Sequence, residues 1–300
     1  MGYSPDAQAR SLVEGRTRTI GVVVTTMTDP FIGGIVQAIE TTAHEHGYSL
    51  ILASSSDSSE REIAAAETLQ SKRVDGVIDA SSRVGVLHQG RLERLGVPVG
   101  EINSLVQHRG RYKVSFGVGA RHGGFVATEH LLQLGHRRIA YVTAPDDRSD
   151  SMERLAGYHE ALAGAGVDSD PALLVRGTGR AGGGERALPA LQALEDPPTA
   201  VFCYNDMTAI GLIHAAHAAG LSLPRDLAVV GFDDIVFAPY VYPPLTTVAQ
   251  PVVELGKGAM EMVLTLLPDG STNPDASTDR TLPGRLVVRA SSGAKRSAVN

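Results

Sequence analysis

Two strings place neighbouring polar side chains at the ends of apolar runs: Asn205-Asp206 one residue beyond Ala200–Cys203, and Asp233-Asp234 directly after Leu227–Phe232. Three more runs end the same way. Ile20–Val24 is followed by Thr25, Thr26, Thr28 and Asp29, then Phe31; Leu50–Ala53 by Ser54, Ser55, Ser56 and Asp57; Val97–Ile102 by Asn103. A carboxylate accepts from two hydroxyls, and an amide both donates and accepts, so such a set suits a polyhydroxylated small molecule. The same residue types cap helices where strands end, and for any one of them alone capping is the stronger account.

Other chemistries fit less well. "GTGRAG", Gly177 to Gly182, formally matches a dinucleotide-binding fingerprint, with Asp206 near the distance of a ribose-binding acid. It lies in mid-chain, and glycine continues past the motif, which reads better as a loop before a helix. "HEHG" at His44 to Gly47 puts two histidines on different helix faces, so it is no zinc motif and both are expected to face solvent. Asp233 and Asp234 diverge as neighbours at a strand end, and no nucleophile elbow such as G-x-S-x-G occurs. No catalytic residue, metal or cofactor is expected.

These residues need a scaffold that brings strand ends together. The strand candidates are Ile20–Val24, Leu50–Ala53, Gly76–Ile78, Val97–Ile102 and Val114–Val118, then Arg138–Thr143, Ala172–Val175, Ala200–Cys203, Leu227–Phe232 and Leu286–Val288. Most are continuously apolar, the mark of strands covered on both faces in a parallel sheet. Helical patterns lie between them. Ile32, Ile35, Val36, Ile39 and Ala43 form one apolar face that stops at Gly47; Ile63, Ala66 and Leu69 begin another; further patterns lead into Gly135 and Gly220. Alternating strand and helix means α/β, and the pattern runs twice, from Ile20 and again from Arg138. In open parallel sheets ligands bind beyond the carboxyl ends of the strands, where the polar residues collect.

With 300 residues, 43% hydrophobic and 20% charged, the chain has the composition of a two-domain soluble protein. No apolar run reaches the length of a membrane span, and the first residues lack the apolar core of a signal peptide. One cysteine, Cys203, excludes an internal disulfide framework and fits a reducing cytoplasm. A formal charge of −6 argues against a nucleic-acid-binding surface over the whole molecule but leaves room for a small basic appendage. Such an appendage precedes the first strand: a short, mildly basic stretch of helix formers behind Ser4-Pro5-Asp6.

Several strings together, "SPDAQARSL", "RTIGVVV", "VDGVI", "ATEHLLQLGHRRIAYV", "AVFCYNDMTAIG", "LPRDLAVVGFDD", "PPLTTVAQP" and "LVVRAS", resemble in the right order the LacI/GalR (lactose-repressor) family of bacterial transcription regulators. The match runs from Tyr3 to Ser291. It implies two periplasmic-binding-protein-like lobes of type I joined by three crossovers. The expected division is 1–17 for a hinge-helix remnant and linker, 18–135 with 248–280 for the N-terminal lobe, 136–247 with 281–291 for the C-terminal lobe, and 292–300 for a disordered tail.

The resemblance also implies roles. "YSPDAQARSL" matches the hinge helix that enters the minor groove in a DNA-bound dimer, with Leu12 as the wedging leucine and Arg10 near phosphates. The helix-turn-helix that precedes this motif in the family is not in the sequence, so the chain is expected to bind effector and dimerise without gripping an operator tightly. Asp29 and Phe31 match a ligand-touching loop of the first lobe, Asn103 a polar strand end, and Arg154 an arginine that grips a sugar or an anionic effector. Asn205 and Asp233 match the amide and carboxylate that bind ligand hydroxyls, and Gln250 lines a crossover. Two departures stand out. Gly119 and Ala120 replace the family's Asp-Asn, which puts His122 forward instead, and the loop near Gly179 lacks its stacking aromatic, leaving Phe31, Phe237 and Tyr242 as candidates. The implied function is a cytoplasmic, homodimeric regulator, a repressor, whose small-molecule effector, a carbohydrate, binds between the lobes and controls operator affinity. The rival readings are a solute-binding protein for transport and an enzyme on an α/β scaffold.

Overall fold

A computed structural model describes residues 15–80, 95–103, 113–145, 149–267 and 279–293. The chain divides into two compact units, Met1–Gly117 with Pro251–Leu282 and Val118–Gln250 with Pro283–Asn300, so it passes between them three times. The number of passages is the one expected; their places differ. The first falls before the helix Ala120–Gln133 rather than after it, and the strand Thr246–Ala249 stays with the second unit. The second unit claims this helix because Ala127 and Leu131 pack into its core with Tyr158 and Phe202.

The first unit holds strands β1 (Thr19–Val24), β2 (Ser49–Ser54), β3 (Gly76–Asp79), β4 (Val99–Ile102), β5 (Lys113–Val118) and, after the chain returns, β11 (Asp279–Leu282), in the order β11-β5-β4-β3-β1-β2. Its helices are α1 (Pro30–Glu45), α2 (Ser59–Ser71) and α7 (Val252–Leu266). The second unit holds α3 (Ala120–Gln133), β6 (Ile139–Val142), α4 (Ser149–Gly164), β7 (Leu174–Val175), α5 (Ala181–Gln192), β8 (Ala200–Cys203), α6 (Asp206–Ala218), β9 (Ala228–Asp233), β10 (Thr246–Ala249) and β12 (Arg285–Val287). Its sheet runs β12-β10-β9-β8-β6-β7, the order of the first unit repeated strand for strand. β1 lies parallel between β2 and β3, as β6 lies parallel between β7 and β8.

Burial explains why the strands read as unbroken apolar runs. Along β8, Ala200 and Phe202 enter one core with Tyr141, Tyr158 and Phe232, while Val201 and Cys203 enter the core on the opposite face with Leu188, Leu212 and Val229. β2 is the exception. As the edge strand it leaves Ile51 and Leu52 about two-fifths exposed, so its apolar sequence does not mean burial on both faces within this chain. β10 and β11 were not foreseen: Thr246-Thr247 gives β10 no apolar start, and β11 has few apolar residues. Of Ala172–Val175 only the last two residues are strand, because Pro171–Leu173 makes a tight helical turn capped by Asp170. The expected helix stops hold, with Gly47, Gly135 and Gly220 all at positive φ. His44 and His46 are exposed, as expected.

The helices pack in pairs through glycines. A Cβ on Gly124 of α3 would collide with the Arg154 carbonyl of α4, and one on Gly157 of α4 with the Arg121 carbonyl of α3. The α5–α6 pair repeats the device, Gly184 against Thr208 and Gly211 against Ala181. In the first unit Gly256 of α7 would meet Ala38 and the Ile35 carbonyl of α1 at 2.6 and 2.7 Å. Glycine here allows backbones to approach closer than any side chain permits.

Gly157→Ala is therefore expected to push α3 from α4 at a cost of about 1–3 kcal/mol, seen as a lower melting temperature. Gly164→Ala, where an added Cβ meets nothing within 4 Å, should leave the melt unchanged or raise it.

Candidate functional site

Arg154 is the centre of the best-formed polar cluster. It sits in α4 with 3% of its surface exposed. Its Nη1 donates to the Tyr204 carbonyl at 2.5 Å and its Nη2 to Asp150 Oδ2 at 3.2 Å. Its guanidinium carbon lies 3.7 Å from the centre of the Phe232 ring and 4.4 Å from that of Tyr204. A desolvated cation over aromatic faces gains on the order of 2 kcal/mol from each good contact. Burial works against the charge, but Asp150, Tyr204 and Asp233 outweigh it and hold the arginine pKa above its ordinary value. Gly123 and Gly124 make the cluster possible, since a Cβ on the first would strike the Phe232 ring and one on the second the Arg154 backbone.

Asp233 ends β9 at φ 120°, a backbone strained for a residue with a Cβ, and is buried. Gln250, the last residue before the chain leaves this unit, donates from Nε2 to Asp233 Oδ1 at 2.5 Å. Among the described residues, Arg154 Nε and Gln250 Oε1 are buried without a hydrogen-bond partner. One orphan donor and one orphan acceptor, with the Asp233 carboxylate beside them, make a site fitted to a group that both accepts and donates, as a hydroxyl does.

The other expected residues fall into place unevenly. Asn205 caps α6: its Oδ1 accepts from the Thr208 amide at 2.9 Å and the Thr208 hydroxyl at 2.7 Å, and its Nδ2 donates to the Gly179 carbonyl at 2.9 Å. That leaves one N–H for any ligand, so the capping account is the larger part of Asn205. Asp29 caps α1 by accepting from the Phe31 amide at 2.9 Å. Phe31 is half-buried, and Asn103 closes β4 in the left-handed conformation at φ 57°. These three belong to the first unit, and Arg154, Asn205, Asp233 and Gln250 to the second. His122 is exposed in the first turn of α3 and has no bond to the Arg154 cluster. Phe237 and Tyr242 are exposed, Tyr242 stacking on His217. The hinge residues Arg10 and Leu12 lie outside the described residues. The glycines of "GTGRAGG" serve packing: Gly177 fits against the Thr143 carbonyl, Gly183 against Thr178, and the Gly179 carbonyl is spent on Asn205.

Sequence reasoning missed Tyr204, Phe232 and Asp150 as partners of Arg154, and Asp206 behind them. Asp150 had a signal, four residues before Arg154 on one helix face. Asp206 is fully buried, accepts from the Ile235 amide at 2.9 Å and the Thr247 hydroxyl at 2.6 Å, and fits only because Gly231 has no side chain. Its carboxyl is pushed up to about 7, first by burial, against the pull of those two bonds. Asp234 instead pairs with Arg289 at 2.6 Å. The stretch expected to be a disordered tail, 292–300, starts ordered: buried Ser292 lies 2.9 Å from both His130 and Thr246, next to Ser291, which donates to the Val229 carbonyl at 2.6 Å. These bonds hold the end of the chain where its composition alone signals nothing.

Among the described residues, no group of three or more His, Cys, Asp and Glu is placed to hold a metal, and no helix is long and apolar enough to cross a membrane. Two six-stranded units with this strand order, joined by three passages, define a periplasmic-binding-protein-like domain, and the model of that domain family matches residues 128–292. The chain is 32% identical over 294 residues to the transcriptional repressor CytR of Escherichia coli K12, covering 98% of this chain and 85% of that one. It is 33% identical over 272 residues to the repressor PurR of Vibrio atlanticus, covering 90% and 80%. A ribose-bound LacI family regulator from Enterococcus faecium superposes with a TM-score of 0.80 at 29% identity, over 93% of this chain and 100% of that one. The chain belongs to the LacI family of transcription regulators and spans its effector-binding core.

Asp206 generates a prediction with a definite sign. A carboxyl whose folded pKa is raised stabilises the fold most below its unfolded value near 4, and that share is lost as the pH rises through about 7. The melting temperature should fall between pH 5 and pH 8, and Asp206→Asn, already less stable, should show a flatter profile across that range.

Proposed function

We propose that this chain is the effector-binding and dimerising core of a repressor that responds to a small polyhydroxylated molecule, a sugar or a compound containing one. The carrying observation is the buried cluster of Arg154, Asp233 and Gln250 at the carboxyl edge of the second sheet, with its orphan donor and orphan acceptor. Asp233 accepts from ligand hydroxyls, and Arg154 and Gln250 complete the grip. His122 and the remaining N–H of Asn205 are proposed as further contacts within the second unit, and Asp29, Phe31 and Asn103 as the groups that the first unit offers an effector at the carboxyl edge of its own sheet. Binding favours one of two states of the dimer and thereby changes operator affinity in the full-length protein, which acts in the cytoplasm. The ribose-bound regulator and the repressor relatives support this reading.

Asp233 is too buried for alanine to test the site cleanly, because Asp233→Ala also strands Gln250. Asp233→Asn keeps an acceptor for Gln250 and removes only the charge. Calorimetric titration with a panel of neutral sugars and nucleosides should find a ligand whose affinity falls about ten- to hundred-fold in Asp233→Asn, the worth of a charge-assisted hydrogen bond. Unchanged affinity with a large drop in melting temperature would make Asp233 a structural residue instead.

Dimerisation is proposed through the first unit, at β2 and α2, where Ile51 and Leu52, on opposite faces of an edge strand, are both exposed. Such an edge is a site for pairing with a second chain. Sedimentation at micromolar concentration should give a dimer, and Leu52→Glu should shift it toward monomer. A monomeric native chain would sink this assignment.

A further inference from the structure

The inference concerns Asp150 and rests on the effector reading of the Arg154 cluster. Asp150 lies in the first turn of α4, one turn before Arg154. Its Oδ2 takes two donors, Arg154 Nη2 at 3.2 Å and the Tyr204 hydroxyl at 2.6 Å. Its side chain is 20% exposed while that of Arg154 is 3% exposed, so the carboxylate is the outer group and the guanidinium the inner one. Two donors converging on one oxygen beside a buried cation is the arrangement by which a protein holds an anionic ligand. Here the chain's own carboxylate occupies it.

The charges of the cluster point the same way. The Arg154 guanidinium has two carboxylate neighbours, Asp150 and Asp233. A phosphate or carboxylate on a ligand meets repulsion from both and must also displace Asp150 from Arg154. A hydroxyl meets neither obstacle, and it finds the buried Gln250 Oε1 ready to accept.

We propose that Asp150 sets the charge class of the effector: it acts as a built-in anion on Arg154, closes this subsite to phosphorylated and carboxylate ligands, and leaves it to uncharged polyhydroxylated ones. Asp150 is thus a specificity-determining residue, and its removal turns the Arg154–Tyr204 pair into an anion site.

The probe is inorganic phosphate, titrated calorimetrically into the whole chain at constant ionic strength, with no sugar present. Asp150→Asn still accepts from Tyr204 but carries no charge, and Asp150→Ala opens the space as well. Both should bind phosphate at least roughly tenfold more tightly than the native chain. The gain should vanish in Asp150→Asn/Arg154→Gln. If Asp150→Ala does not fold, the near-isosteric Asn variant decides. Native affinity for phosphate equal to that of Asp150→Asn would overturn the proposal, as would folded variants that gain nothing, or a gain that survives loss of Arg154. Failure of the effector reading shows elsewhere, as a native chain to which no neutral sugar or nucleoside binds, so the two failures are separable.

Discussion

A guanidinium removed from water constrains everything around it. An unpaired buried charge costs several kcal/mol, so Arg154 exists only because Asp150, the Tyr204 carbonyl and two aromatic faces take over the work of solvent. Each partner comes from a different element. Asp150 is on the same helix, Tyr204 follows β8, and Phe232 is within β9. They meet because α3 and α4 approach at glycine distance and because Gly123 leaves room for the Phe232 ring. Gly123 and Gly124 are thereby tied to the cluster: without them neither the helix pair nor the ring could close on the arginine.

A second layer of polar bonds holds the first in register. Asp206 links the start of α6 to the turn after β9 and to β10, through Ile235 and Thr247. Asp234 and Arg289 tie the same turn to the segment after β12. Asp233 thus emerges from a backbone fixed on both sides, which is how a strained φ is sustained in the Arg154 cluster. Much of what "NDMTAIG", "VVGFDD" and "PPLTT" encode is this scaffold: Asn205 a cap, Asp206 and Asp234 tethers, Thr246 and Thr247 bridges. Fewer groups are left for the proposed effector than the motif letters suggest.

The parts legible in the sequence were those set by local rules. Continuous apolar strands, helix stops at Gly47, Gly135 and Gly220, and polar residues at strand ends all follow from burial and backbone sterics within a few residues. The family resemblance supplied the number of passages between the units and singled out Arg154 and Asp233, which the structure brings into one buried cluster. What stayed hidden depends on distant partners. Thr246-Thr247 is a strand because it pairs with β9 and β12 and because Ser291 and Ser292 satisfy Thr246 from some 45 positions away, and no local pattern announces that. Asn205 looked like a ligand amide, yet Gly179 and Thr208 consume most of it. β2 looked like a core strand, and only its place at the sheet edge explains why Ile51 and Leu52 stay exposed.

The interleaving of the two units along the chain has a consequence for biosynthesis. Neither is continuous: the first lacks α7 and β11 until residue 282 is made, and the second lacks β12 and the Arg289, Ser291 and Ser292 bonds until later still. During translation the ribosome therefore releases two nearly complete sheets, each with an unfilled edge. Sequential, one-domain-at-a-time folding, the usual protection of a long nascent chain, is closed to this topology. The second unit finishes after the first, and its late segment fastens β10 and the turn that follows Asp233.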